Sequence, residues 1–154
     1  MKEIKDSVKL FGRYQIFVTD KDDNIVLDYG WKENVVTDLG IRNYFIKNIG
    51  GLGGYSISHG AIGFGAAPVH TDSALNGEVN RVPIISNTII DDKTLETRMQ
   101  FSTLNFDIGV TPQINNVGMF NAITGGIMYC GSSYAPITLF PDQRINIYYQ
   151  IGVV

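Results

Sequence analysis

The chain has 154 residues, 44% hydrophobic and 18% charged, with 17 Gly and 5 Pro, the size and balance of one ordinary globular domain with a single core over 1–154. A chain of this length buries roughly 68–70% of the surface that it exposes when unfolded, so it needs no metal or disulfide to be stable. The lone Cys130 cannot form an internal bridge and leaves the redox compartment open. The 12 Lys+Arg against 15 Asp+Glu give a formal charge of −3 without any basic cluster, which argues against phosphate-driven nucleic-acid binding. No apolar run nears the roughly 20 residues that span a bilayer, and Met1-Lys2-Glu3-Ile4-Lys5-Asp6 lacks a signal-peptide core. A soluble, unexported chain with no membrane partner is expected.

The first element reads as a hairpin. Residues 9–18 are β-rich, Asp20-Lys21-Asp22-Asp23-Asn24 forms a polar turn, and Ile25 to Tyr29 returns. Period-two alternation places Leu10, Gly12, Tyr14, Ile16 and Val18 on one face and Phe11, Arg13, Gln15 and Phe17 on the other, so both faces are at least partly covered. The one helix is expected over about residues 38–49. Thr37 caps it, Asp38 complements its dipole, Ile41, Phe45 and Ile49 form a stripe beside Tyr44 that packs on the sheet, and Gly50-Gly51 stops it.

Short strands follow: Ala61 to Gly65, Val82 to Ile90, Leu95 to Leu104, Val117 to Phe120, Ile127 to Cys130 and Ile145 to Val154. Asp91-Asp92-Lys93 and Thr124-Gly125-Gly126 read as turns, and Thr71 to Leu75 as at most a short helical turn. The pattern predicts a mainly β domain, an antiparallel β-sandwich or flattened barrel with one helix.

The motifs that could carry chemistry are incomplete. Asp20 to Asn24 begins like a calcium loop, but Ile25 stands where the sharp turn needs glycine and Trp31 where a bidentate carboxylate should close the shell. Gly63-Phe64-Gly65 invites a phosphate-loop reading, yet Pro68 replaces the third glycine of a dinucleotide fingerprint. His59 and His70 with Cys130 are too few for a Cys/His metal site, and Cys130 reads as a structural thiol rather than half of a Cys–His pair. Glu78 and Arg81, three apart beside Asn80, suit an ion pair that pins the segment after Leu75 better than a ligand site. Tyr14, Trp31, Tyr44, Tyr55, Tyr134, Tyr148 and Tyr149 could stack on sugar rings, although aromatics more often serve core or interface. No catalytic residue, cofactor or metal ligand is assigned, and no enzymatic activity is expected.

Taken in order, the opening hairpin, Asn34-Val35-Val36-Thr37-Asp38-Leu39-Gly40-Ile41, Ile62-Gly63-Phe64-Gly65-Ala66-Ala67-Pro68, Thr71-Asp72-Ser73-Ala74-Leu75 with Glu78 and Arg81, Ile114-Asn115-Asn116-Val117-Gly118-Met119-Phe120-Asn121-Ala122, Gly125-Gly126-Ile127-Met128 and Ala135-Pro136-Ile137 resemble small virion structural proteins of tailed bacteriophages, of tail-fibre, tail-collar or head-decoration type. The resemblance covers roughly residues 9–154; where that family often has Gly-x-Gly-Thr, this chain has Gly63-Phe64-Gly65-Ala66. It implies a non-enzymatic component made in the host cytoplasm and built into the virion, with capsid, neck or tail proteins as partners. The rival readings are a receptor- or carbohydrate-binding module, which requires a cleft of exposed aromatics with Asn or Asp, and a small enzyme, which requires clustered titratable groups. The apolar strand at 145–154 must be paired or covered, which suits a homo-oligomer.

Overall fold

The computed structural model describes residues 9–103 and 113–154. Among these residues there are ten strands, β1 (Leu10–Thr19), β2 (Ile25–Glu33), β3 (Val35–Val36), β4 (His59–Gly63), β5 (Glu78–Pro83), β6 (Ser86–Asp91), β7 (Thr94–Ser102), β8 (Gln113–Phe120), β9 (Cys130–Thr138) and β10 (Arg144–Val153). They form two five-stranded sheets, in the orders β2-β1-β10-β7-β6 and β3-β9-β8-β4-β5. All the pairings are antiparallel. Of the two architectures expected, the sandwich is the one found, because among the described residues each sheet ends in two edge strands instead of closing on itself.

The core lies between the sheets. Tyr14, Ile16 and Val18 of β1, Ile145, Ile147 and Tyr149 of β10, and Met99 and Phe101 of β7 meet Ile62, Ile114, Met119 and Ile137 of the second sheet. The alternation read for β1 therefore holds, and Ile145, Ile147 and Tyr149 alternate in the same way on β10. Strand β10 lies in the middle of the first sheet, with Ile147 opposite Ile16 on one side and Met99 on the other. Its cover comes from within the same chain, so this strand by itself requires no second copy.

Residues 82–90 do not form one strand. Pro83 ends β5 because it has no N–H for a continued ladder, Ile84 N–H donates to the Ser58 carbonyl and Ile85 N–H to the Arg98 carbonyl, and the chain crosses to the other sheet before β6. The strand expected over 95–104 is β7, with Leu104 outside the described residues, as are Met1 to Asp6. Residues 127–129 lie before β9 rather than in it, held by Met128 N–H on the Ser73 carbonyl and Tyr129 N–H on the Met119 carbonyl. Residues 71–75 form no helix; a turn closed by Asp72, which accepts from Val69 N–H, takes its place. It buries Leu75 with Ala61, Phe120 and Met128 on the outer side of the second sheet. Gly125 and Gly126 both take positive φ in the β8–β9 loop, as their turn requires.

The helix, α1, is built of Asp38–Gly40 in α form, Ile41–Ile46 in π form and Lys47–Ile49 in α form. Thr37 caps it as expected: its hydroxyl accepts from Gly40 N–H at 2.8 Å and donates to the Met128 carbonyl at 2.6 Å. The expected buried stripe fails at two of its three positions, Phe45 alone remaining half-buried. Gly40, Asn43 and Tyr44 face inward, whereas Ile41, Ile46 and Ile49 are exposed, Ile49 by 71%. Two constraints choose this face. A Cβ on Gly40 would overlap the Tyr129 carbonyl oxygen, so only glycine can be the residue of closest approach. One turn later the Tyr44 hydroxyl donates to the Ile127 carbonyl.

Candidate functional site

The sequence candidates are scattered and committed to the fold. In the Asp20–Asn24 turn, Asp20 accepts from the N–H groups of Asp22 and Asn24 at 2.9 and 3.0 Å. These bonds hold its carboxyl below the usual range, the Asn24 bond being the largest cause, as expected of a hairpin turn. Gly65 is clasped by Asn115, whose side chain accepts from Gly65 N–H and donates to its carbonyl. Asn116 donates to the Asn76 carbonyl at 2.8 Å. The glycine loop is thus tied down by two asparagines whose role had no local signal in the sequence. Glu78 and Arg81 do pair, with Nη2 to Oε2 at 2.7 Å; a register shift in the β4–β5 ladder brings them to one side of the strand. Arg81 also lies 3.7 Å from the centre of the Phe120 ring and donates to the Ala122 and Gly125 carbonyls, so it anchors the β8–β9 loop.

His59 bonds to Ser58 and His70 to Asp38 at 3.1 Å; neither is brought to Cys130. Cys130 is fully buried beside Tyr149, and burial pushes its thiol well above the usual range, which suits a structural thiol. Among the described residues no group of three or more His, Cys, Asp or Glu is placed to hold a metal ion, and no helix is long and apolar enough to cross a membrane.

Two features face outward. The first is apolar surface in three places: Ile41, Ile46, Ile49 and Leu52 on and after α1; Ile25, Val26 and Leu27 on the open edge strand β2; and Ile85, Ile89 and Ile90 on and beside the opposite edge strand β6. The outer face of the same sheet is polar. There Gln150 accepts from Arg13 and donates to Glu96, which Arg98 also contacts at 2.8 Å. The Gln150 bond, with Arg98 second among the bonds, holds the Glu96 carboxyl below its usual range. Trp31 and Tyr148 lie on this face under the Arg13 and Arg98 guanidinium groups, at 4.8 and 4.4 Å, so cations already cover rings that could have stacked on sugars.

The second is a cleft of about 290 Å3 between α1 and the first sheet. Tyr44, Phe45 and Asn48 of α1, Tyr55 to Ile57, Asn87 of β6, Leu95 of β7, Tyr129 and Ile151 of β10 line it. Its rings are in edge contact, Tyr44 with Tyr129 at 5.1 Å and with Tyr55 at 5.8 Å. Asn48 donates to the Tyr44 and Tyr55 carbonyls at 2.8 Å each, and Asn87 accepts from Thr97. Aromatics and asparagines thus come together as a sugar site would need, but the amides hold the protein's own groups. Of the lining residues, Tyr44 and Tyr55 were among the aromatics singled out in sequence; nothing local marks Leu95, Tyr129 or Ile151, because they come from segments far apart in the chain. No protein-family model, curated protein or solved structure matches this chain.

Proposed function

We propose that the chain is a non-enzymatic structural component of a tailed-bacteriophage virion, of head-decoration, neck or collar, or tail-fibre type, acting by assembly with copies of itself and with other virion proteins. One observation carries the assembly reading: among the described residues, the apolar side of α1 and large aliphatic groups on both edge strands of the first sheet face solvent. Helices of soluble monomers normally turn such a stripe inward, and an unpaired strand edge bearing large aliphatic groups is a ready surface for another chain. The phage context is carried by the sequence resemblance, and the two-sheet sandwich suits it. The sugar-binding alternative has weaker support, since the aromatic cleft has its amides turned to the protein and the outer-face rings lie under arginines.

Light scattering of the purified chain, together with mass spectrometry of purified particles, tests this. The expected result is an oligomer that Ile46→Asp with Ile49→Asp reduces to smaller species without unfolding, and a peptide signature in the virion. A soluble monomer absent from virions would overturn the reading.

A further inference from the structure

We infer that β6 pairs antiparallel with β6 of a second copy about a two-fold axis at Thr88, joining two five-stranded sheets into one. The inference rests on the assembly reading above and names its partner and geometry. Among the described residues β6 pairs only with β7, and Asn87 to Asp91 are all exposed, Ile89 by 77%. Such an edge is normally guarded by charge, proline or bulges along its length. At the opposite edge β2 is guarded: it carries Asp28, Lys32 and Glu33, its Gly30 takes positive φ, and its ladder with β1 shifts register twice. Ser86, Asn87, Thr88 and Ile89 are uncharged and pair with β7 without a break. The edge left open is therefore β6.

The strand is also a complement to itself. Its ladder is regular from Ser86 to Ile89, the extra residue being Ile90, so the axis falls within that stretch. Paired residues of neighbouring strands share a face, which places the axis on a residue instead of between two. Of the two interior residues, Asn87 spends its amide on Thr97 and the Ile57 carbonyl, whereas Thr88 facing its copy makes a favourable cross-strand pair. Charge agrees with this direction. Asp91 and Asp92 outnumber Lys93 at one end of β6, and Arg98, opposite Ser86 at the other end, keeps its side chain 49% exposed beside Glu96. Antiparallel pairing brings the acidic end of each copy to within about 10 Å of the Arg98 backbone of the other, two strand spacings. It also keeps the two Asp91 carboxylates roughly 20 Å apart, beyond the screening length of physiological salt.

Sedimentation over a range of concentrations, with disulfide trapping, tests this. A ladder of six residues lies at the small end of stable interfaces, so a concentration-dependent dimer is expected. Under mild oxidation Thr88→Cys should trap it covalently, because residue 88 then faces itself with Cβ atoms about 4.5–5.5 Å apart; the native Cys130 is buried and does not compete. Val26→Cys on β2, also exposed, should not cross-link. Ile89→Lys sets two cations beside the axis and should weaken the dimer about tenfold or more, with the monomer's melting temperature unchanged because the side chain replaced lies in solvent. A monomer at every concentration, equal trapping through Val26→Cys, or a dimer indifferent to Ile89→Lys would overturn the inference. So would a residue 88 that cross-links in particles only to a different virion protein. A dimer trapped at residue 88 by a chain absent from virions would support the inference and count against the virion reading. An oligomer broken by Ile46→Asp with Ile49→Asp but not by Ile89→Lys would overturn the inference and leave the assembly reading standing.

Discussion

Strand β10 and helix α1 bury opposite kinds of side chain. β10 turns Ile145, Ile147 and Tyr149 into the core, while α1 turns in Gly40, Asn43 and Tyr44 and leaves Ile41, Ile46 and Ile49 in solvent. The difference lies in what sets the face of each element. A strand between two partners is held by ladders on both sides, and slipping it by one residue would move every inward group outward. A helix at the side of a sandwich is held only by the contacts it finds. For α1 these are few: the local Thr37 cap, the close approach of Gly40 to the Tyr129 backbone, and Tyr44, whose hydroxyl donates to the Ile127 carbonyl and whose ring packs on Tyr129. Greasy periodicity can be overruled by a few hydrogen bonds when it has no partner surface.

The largest test of this contrast is removal of residues 145–154. It takes away three fully buried side chains worth about 1.5–3 kcal/mol each and both ladders of the central strand, against a total stability of roughly 5–15 kcal/mol. Loss of any cooperative unfolding transition by circular dichroism is expected; a retained transition would show that β10 is dispensable.

Alkaline pH probes both regions together. Burial raises the hydroxyl pKa of Tyr14, Tyr44, Tyr129, Tyr134 and Tyr149. These groups keep their protons in the folded state after the unfolded chain, with an ordinary value of about 10, has begun to release them. Their contribution to stability is whole below that pH and is lost as pH rises through the folded values. The urea midpoint should therefore fall above about pH 10, with the phenolate absorbance of these five emerging only on unfolding. Tyr149→Phe, in the centre of β10, should relieve this dependence more than Tyr44→Phe on α1. The reverse order would mean that the helix side is the more deeply buried.

Gly40→Ala sharpens the helix half. Its methyl group would overlap a backbone oxygen, so a loss of about 1–3 kcal/mol in urea denaturation is expected, as for overpacking elsewhere. A neutral result would show that α1 does not approach residue 129 this closely. The smallest effect belongs to Ile49→Ser, which should change monomer stability by no more than about 0.5 kcal/mol. A loss comparable to that of Gly40→Ala would place the apolar stripe back in the core.

Much of the architecture was legible because period-two patterns need little context. Tyr14, Ile16 and Val18 alternate with Arg13, Gln15 and Phe17 whichever strands lie beside them, and Asp91-Asp92-Lys93 makes a turn by its own chemistry. The break at Pro83 was harder to see, since Val82 to Ile90 is β-rich throughout and one missing N–H divides it between two sheets. The cleft was less legible still. It draws Tyr44, Asn87, Leu95, Tyr129 and Ile151 from separate segments, and no spacing in the chain brings them together.

By itself, the sequence determined the class of the domain, the inward face of β1, the need to cover the apolar strand β10, the Thr37 cap, the Asp20 and Gly125 turns and the Glu78–Arg81 pair. Each of these depends on residues near one another or on an alternation that the pleat enforces. Only the tertiary structure decided the order of the strands, the central place of β10, the outward turn of the α1 stripe and the asparagine clasp on the glycine loop. These depend on which backbone oxygen, ring or open edge lies across from a given residue, and that is set by packing between segments distant in the chain.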